Sequence, residues 1–133
     1  APDGRGYSYG IAGVGARLPL LLSRGLARGV PVGRLAEVAA ANPARAFGHY
    51  PRKGVIAPGS DADLLIWDPG AETTITPGTF DDGTGDSVYA HERLSGQVRD
   101  VLLRGTVLVR HGRFAGEGTG GAYLVAGPAA EAG

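Results

Sequence analysis

The stretch Asn42–Pro69, NPARAFGHYPRKGVIAPGSDADLLIWDP, constrains the fold most, because helical and strand patterns meet within it. Its first residues are typical of a helix end, and the YPRKG and APGS sequences supply Pro and Gly for tight turns. The continuous apolar run Leu64–Trp67 follows, as expected for a strand that is buried on both faces. This order predicts a chain that leaves a helical layer and enters a small β-domain.

Two helices are predicted ahead of this stretch. Residues Ala16–Arg28 carry a wide apolar set of leucines, and Pro19 fits the first helical turn, where its missing N–H costs nothing. A second helix should run from Pro31 to about Ala41. Asn42 is expected to end it, because Pro43 disfavours the α conformation in the residue before it, and Pro43–Phe47 should form a further short turn of helix. Helices this short need a partner surface to build a core.

The β-domain is predicted to hold about five short strands. They are Val55–Ile56, Leu64–Trp67, Glu72–Thr76, Val98–Leu103 and Thr106–Arg110. Asp68-Pro69-Gly70 should end the second of these strands, and Gly105 should form the turn of the clearest hairpin. The predicted fold class is therefore mixed α and β, with two or three helices followed by a small β-sandwich. The expected boundaries are residues 1–52 for the helical part, 53–115 for the sandwich and 116–133 for a flexible tail.

Composition narrows the classes of partner. The balance of 13 basic and 13 acidic residues gives no global field that would attract nucleic acid or an anionic membrane. Without cysteine the chain has no disulfide and no thiolate metal site, which fits a cytoplasmic protein. No apolar run is long enough to span a membrane, and the first residues lack a signal-peptide pattern. The Gly-rich opening is expected to come from the middle of a larger protein.

The three histidines, His49, His91 and His111, are the first candidates for metal ligands. Their spacing matches no compact ligand motif such as HxH or HExxH. His49 lies at a predicted helix exit, and His111 lies at a predicted turn. A structural or surface role is therefore expected for all three, and no metal ligand is assigned.

The acidic pair Asp61 and Asp63 could serve acid–base chemistry or bind a cation. We expect the two carboxylates on opposite faces of an extended segment, where they accept backbone N–H bonds that fix the turn. Arg52 and Lys53 stand between Pro and Gly, a pattern weaker than any phosphate-loop signature. They are expected to form a solvated turn, with Arg52 paired to a carboxylate.

Two further features favour structural roles over binding. The GEGTGG sequence at residues 116–121 lacks the preceding strand and the following helix of a nucleotide-binding loop. Trp67 ends an apolar run and is expected in the core. The apolar face of the first helix should pack on the β-domain or remain an exposed patch.

Taken together, these segments closely resemble the carboxy-terminal region of the cyclic amidohydrolases, the dihydropyrimidinases, hydantoinases and allantoinases. The YPRKG and GSDADL sequences are its more specific part. The WDP ending and RGTVLVRHGRFAGEGTG favour dihydropyrimidinase or hydantoinase, whereas GIAGV favours allantoinase, so the branch stays open. The resemblance implies the last helices of a (β/α)₈ barrel followed by a small β-sandwich. Its matched segments are Gly10–Gly29, Asn42–Gly54, Gly59–Pro69 and Ser87–Phe114.

The resemblance also implies chemistry that lies outside these residues. Members of the family bind two divalent metals, commonly zinc, through four His, one Asp and a carboxylated Lys at the mouth of the barrel. A metal-bridging hydroxide attacks the ring amide carbonyl, and the Asp shuttles the proton. Because those ligands precede the matched region, no catalytic residue is assigned here. The 133 residues alone are expected to be inactive.

One loop of this chain resembles a substrate contact of the family. In dihydropyrimidinases and hydantoinases it reads Pro-Asn-Gly, and its Asn contacts the substrate ring. In the matching YSYGIAG sequence Tyr9 takes the place of that Asn, and Gly10 follows it. Gly15 replaces an acidic residue that often stands two places before the arginine matched by Arg17. Tyr9 and Gly10 are the candidate substrate-loop residues, and the ring they would contact stays open.

Two functions remain open on the sequence. The chain is either the carboxy-terminal portion of an enzyme that hydrolyses a ring C–N bond, or a non-catalytic truncated homologue that acts as a structural or oligomerisation module. The expected partners are a small cyclic amide in the intact enzyme, and either further copies of the chain or a separate barrel segment.

Overall fold

In the described part of the chain, three α-helices and one π-helical turn precede four strands. The computed structural model describes residues 13–76, 78–79, 87–116 and 120–127. The helices are α1 (Arg17–Ala27), α2 (Val32–Ala36), a π-helical turn (Glu37–Ala41) and α3 (Asn42–Ala46); the strands are β1 (Leu64–Thr74), β2 (Arg93–Leu103), β3 (Thr106–Arg110) and β4 (Arg113–Phe114). The mixed α and β class is confirmed. None of the described helices is long and apolar enough to cross a lipid bilayer.

One face of α1 joins the helical layer to the sheet. Ser23 is buried on that face, where its Oγ accepts a hydrogen bond of 2.9 Å from the backbone N–H of Ser95 in β2. The central core is small and lies beside this contact: Ala16, Leu20, Ile75 and Leu94, with Tyr89 packed against them. The helix predicted at Ala16–Arg28 is confirmed within one residue at each end. Some of its leucines lie in this core, and the others lie on a second face of the helix.

The second helix does not end at Asn42. Asn42 has α conformation (φ −66°, ψ −45°), and the helical path continues to Ala46. A π-helical turn intervenes, in which the N–H of Asn42 donates to the carbonyl of Glu37. This wider turn accommodates Pro43, whose ring and missing N–H would disrupt a regular α-helix. The expectation that the second helix ends at Asn42 is wrong, whereas the further helical turn expected at Pro43–Phe47 is present as α3.

The sheet is an antiparallel meander in the order β1-β2-β3-β4. Two-residue turns join β2 to β3 and β3 to β4. Arg104 and Gly105 have φ values of 47° and 83°, and His111 and Gly112 have φ values of 49° and 74°. Positive φ at both turn residues matches the twist of antiparallel strands. The hairpin predicted around Gly105 is confirmed.

The predicted strands on either side of Asp68–Gly70 are one bulged strand. β1 continues through these residues, and its register with β2 shifts between Asp68 and Glu72. Within the bulge, Asp68 Oδ1 accepts a 2.9 Å hydrogen bond from the N–H of Gly70. Val55–Ile56 forms no strand and lies in the turn region before β1.

β1 is not buried on both faces, contrary to the expectation for its apolar run. Leu65 and Ile66 are each 37% exposed. Cross-strand pairs place an apolar row on one face of the sheet: Leu65, Val101, Val109 and Phe114. A groove of about 630 Å³ lies over this row, and Leu18 and Pro19 of α1 also line it. Because the described residues form a single sheet, the second layer of a sandwich stays a prediction.

Candidate functional site

Lys53, the single lysine of the chain, lies where the helical layer meets the sheet. Its Nζ is 2.8 Å from Asp61 Oδ2, and it also forms an ion pair with Asp63. Arg52 Nε donates to the same Asp61 oxygen at 3.0 Å. We call these four residues, Arg52, Lys53, Asp61 and Asp63, the junction cluster. The pairing expected for Arg52 is confirmed.

Tight turns between residues 51 and 60 bring the cluster together. Gly54 has a φ of 83°, and a Cβ atom there would lie 2.7 Å from the Cβ of Ala44 in α3, so the turn packs directly on the helix. Ser60 Oγ donates to the carbonyl of Pro51 at 2.8 Å. The N–H of Asp61 donates to the carbonyl of Arg52 at 3.0 Å. The chain thus doubles back, and the basic and acidic residues face each other.

Asp63 extends the junction cluster to the sheet. Its Oδ1 accepts a 2.7 Å hydrogen bond from the backbone N–H of Arg104 in the β2–β3 turn. The expected bond from a backbone N–H is confirmed for this residue. The expectation that Asp61 and Asp63 point to opposite faces is wrong, because both carboxylates reach Lys53. Residues two apart in an extended segment share a face.

The junction cluster keeps its groups charged. The hydrogen bond from Lys53 is the main cause that lowers the pKa of Asp61. Partial burial acts to raise the pKa of Asp63, but the bonds from Lys53 and the Arg104 N–H outweigh it and lower that pKa. Burial likewise opposes the raised pKa of Lys53, which its two carboxylate partners produce. Because these groups keep one charge state near neutral pH, they can hold two segments of the chain together by ion pairs. They are poorly suited to proton transfer, which needs a pKa near the working pH.

The three histidines occupy turns and a helix exit. His91 and His111 have positive φ values of 70° and 49°, a conformation found mainly in turns, and His49 follows α3. Among the described residues, no three His, Asp or Glu side chains are grouped so that they could hold a metal ion. A surface or structural role for the histidines stays our interpretation.

The metal pair implied by the resemblance does not fit the residues of this chain. The family's centre uses four histidines, whereas this sequence has three. It also uses a carboxylated lysine, and Lys53 is already paired with two carboxylates. A carboxylated Lys53 would be an anion held against Asp61 and Asp63, which is electrostatically unfavourable. No catalytic step through a metal is therefore derived from these residues.

The remaining predictions differ in outcome. Tyr9 and Gly10 lie outside the described residues, as does the middle of the GEGTGG sequence, residues 117–119. Trp67 is half-buried and lies against Gly96, so it packs on the sheet without being fully enclosed. Its Nε1 atom is buried and has no hydrogen-bond partner in the described part of the chain.

Part of the apolar face of the first helix lines a groove between α1 and the α2 to π-helix segment, which we call the helical groove. It has a volume of about 860 Å³, and apolar side chains of both helices line it. Gly25 permits the close approach of the helices, because a Cβ atom there would lie 2.6 Å from Leu35 Cδ2. The sequence does contain one signal for it: Arg17, Arg24 and Arg28 recur at helical spacing and all line the groove.

Comparison with known proteins agrees with this architecture. Residues 12–108 match the amidohydrolase family. The D-hydantoinase of Ralstonia pickettii is 38% identical over 123 residues, which cover 92% of this chain and 27% of that protein. The D-hydantoinase of Streptomyces coelicolor is 40% identical over 114 residues, which cover 86% of this chain and 24% of that protein.

A solved structure shows the same relationship in three dimensions. The D-hydantoinase (dihydropyrimidinase) from Thermus sp. superposes with a TM-score of 0.78 at 37% identity, over 83% of this chain and 24% of that one. The chain thus spans about a quarter of the length of the relatives it matches. The match to the family, the sequence identity and the shared fold agree. This chain belongs to the amidohydrolase family, among the cyclic amidohydrolases that include the hydantoinases and dihydropyrimidinases.

Proposed function

We propose that this chain is the carboxy-terminal portion of a metal-dependent cyclic amidohydrolase that hydrolyses a ring C–N amide bond. The observation that carries the proposal is the 38% identity with a D-hydantoinase across 92% of the chain. The names of the relatives favour hydantoin and dihydropyrimidine rings over allantoin as the substrate class. In this proposal two divalent metals, which we expect to be zinc, are held by residues outside the chain.

The role of this chain in the enzyme is structural support. The junction cluster ties the turn after α3 to the β2–β3 hairpin, and the Ser23–Ser95 hydrogen bond ties α1 to β2. We assign residues 1–52 to the end of a (β/α)₈ barrel and residues 53–115 to part of a small β-sandwich. The half-exposed apolar row on the sheet supports the sandwich, because such a row needs a second layer. We further propose a cytoplasmic homo-oligomer, or assembly with a separately encoded barrel.

A chimera tests this function. The matched portion of the Ralstonia pickettii D-hydantoinase is replaced by this chain, and hydrolysis of hydantoin and dihydrouracil is assayed for the chimera and for the chain alone. We expect turnover by the chimera and none by the chain alone. A chimera that folds and retains its metal ions but hydrolyses neither ring would favour a non-catalytic module. Hydrolysis by the isolated chain would also overturn the proposal.

A further inference from the structure

Residues 120–127 connect the sheet back to the helical layer, and we call this segment the strap. At one end, Nη2 of Arg104 in the β2–β3 turn donates to the carbonyl of Gly120. At the other end, the N–H of Gly127 donates to the carbonyl of Gly48, which lies just after α3, at 2.9 Å. The strap therefore joins the β2–β3 turn to the region after α3, as the junction cluster also does.

The Gly127 end of the strap is a close contact between two backbone segments. Gly48 has a φ of 68°, and a Cβ atom there would overlap the carbonyl oxygen of Gly127 and lie 3.0 Å from its carbonyl carbon. A side chain at Gly48 would therefore push the strap away and also strain the backbone. The other end depends on Arg104, which serves both connections, because its N–H donates to Asp63 while its guanidinium holds the strap.

Between its two ends the strap has few contacts. Residues 121–126 form no backbone hydrogen bond within the part of the chain that the structure describes. Tyr123 and Val125 are 91% and 80% exposed, and Leu124 between them is half-buried. A segment with few buried apolar contacts opens at a lower free energy than the core of a protein. The strap should therefore open while the helices and the sheet stay folded.

We propose that the strap opens and closes as a unit on the folded chain. When it is closed, it holds the β2–β3 turn against the end of α3, and when it is open, that connection is left to the junction cluster. The guanidinium of Arg104 and the backbone contact between Gly48 and Gly127 are its two fastenings. Loss of one hydrogen bond to a charged group corresponds to a shift of about tenfold in such an equilibrium.

Hydrogen exchange of the Gly127 N–H in the whole chain, followed by NMR, measures opening of the strap. The N–H of Ile75, which is fully buried and donates to the carbonyl of Glu92 at 2.9 Å, is the reference for the folded core. Arg104→Met removes the guanidinium and keeps the backbone N–H. We expect exchange at Gly127 to become about tenfold faster in this variant, with exchange at Ile75 unchanged. Arg110→Met, which changes an exposed arginine of β3, should alter neither rate.

Gly48→Ala tests the other fastening. It should also accelerate exchange at Gly127 by about tenfold or more, because the added methyl group displaces the Gly127 carbonyl. Gly59→Ala is the matched control, because Gly59 has a φ of 89° and nothing lies within 4 Å of its Cβ position. Equal acceleration by the two glycine variants, or unchanged exchange at Gly127 in Arg104→Met, would overturn the proposal. The arginine variant decides the question even if Gly48→Ala fails to fold.

Protein concentration distinguishes closure within one chain from exchange of the strap between two copies. Protection of the Gly127 N–H should not depend on concentration, because both fastenings belong to the same chain. Protection that increases with concentration would show that the strap closes on a second copy, and it would overturn closure within the chain.

Discussion

Gly96 lies so close to the indole of Trp67 that a Cβ atom at Gly96 would fall 2.7 Å from Trp67 Nε1. Gly96 also has a φ of 89°, which side chains rarely adopt. The two residues come from neighbouring strands, since Trp67 pairs with Val98 in β2. The absence of a side chain at Gly96 is therefore what lets the indole lie this close to β2.

Gly96→Ala should destabilise the protein more than backbone strain alone would. Gly59 is a matched control, because its φ is also 89° and nothing lies within 4 Å of its Cβ position. We expect Gly96→Ala to cost about 1–3 kcal/mol more than Gly59→Ala. Urea denaturation followed by the fluorescence of Trp67, the single tryptophan, measures both. Equal losses of unfolding free energy for Gly96→Ala and Gly59→Ala would contradict the close contact between Gly96 and Trp67.

The approach of α1 to α2 makes a second paired prediction. A Cβ atom at Gly25 would meet Leu35, whereas nothing lies within 4 Å of the Cβ position of Gly33. Gly33→Ala should stabilise the protein by about 0.5–1 kcal/mol through helix propensity. Gly25→Ala should lose that gain and destabilise, because Leu35 must move. Thermal unfolding compares them, and similar stabilisation by both changes would show that the helices do not pack as described.

Removal of the cation from the junction cluster should loosen the joint between helices and sheet. Lys53→Met leaves Asp61 and Asp63 close together without their shared partner. We expect a loss on the order of 1 kcal/mol in the free energy of unfolding. Arg34→Met is the control, because it breaks an exposed ion pair with Glu37 on the helix surface and should have a smaller effect. A larger loss of unfolding free energy for Arg34→Met than for Lys53→Met would contradict the role of the junction cluster in joining the helices to the sheet.

The stabilisation from the junction cluster should depend on pH in a defined way. Asp61 and Asp63 have pKa values below 3.8, so their contribution is full above that pH and is lost as pH falls through the folded values. The pKa of Lys53 lies above 10.5, so its contribution is full below that pH and is lost as pH rises through the folded value.

The measurement is the difference in unfolding free energy between the wild type and Lys53→Met as a function of pH. It should be constant between about pH 5 and pH 9 and should shrink in strong acid and strong base. Arg52 and the Arg104 N–H also face the carboxylates and remain in both proteins, so they do not affect the difference. A difference that changes across neutral pH would point to another titrating group.

Local signals in the sequence predict part of this fold correctly. The leucine pattern of α1 and the glycine of the β2–β3 turn act over a few residues, so their structures follow from the sequence alone. The path through Pro43 and the bulge at Asp68–Gly70 depend on neighbours distant in sequence. A helix that continues across proline and a strand that continues across Asp-Pro-Gly need packing and pairing that local rules do not contain.

In the candidate site, too, some features follow from the local sequence and others depend on the folded chain. The turn role of Asp63 follows from its type and place in the sequence, but the shared contact with Lys53 depends on how the intervening turns fold. The spacing of Arg17, Arg24 and Arg28 is visible in the sequence, whereas their common place on the wall of one groove is a property of the folded chain. Substrate contact at Tyr9 and Gly10 stays a prediction.

The metal content of the purified chain tests the central claim most directly, which is that these residues support a cyclic amidohydrolase without holding its metals. The chain is incubated with zinc and desalted, and bound metal is counted by elemental analysis. A triple His49→Ala, His91→Ala, His111→Ala variant is measured beside it. We predict no stoichiometric metal in either protein. Two tightly bound ions in the wild type that disappear in the variant would contradict the account.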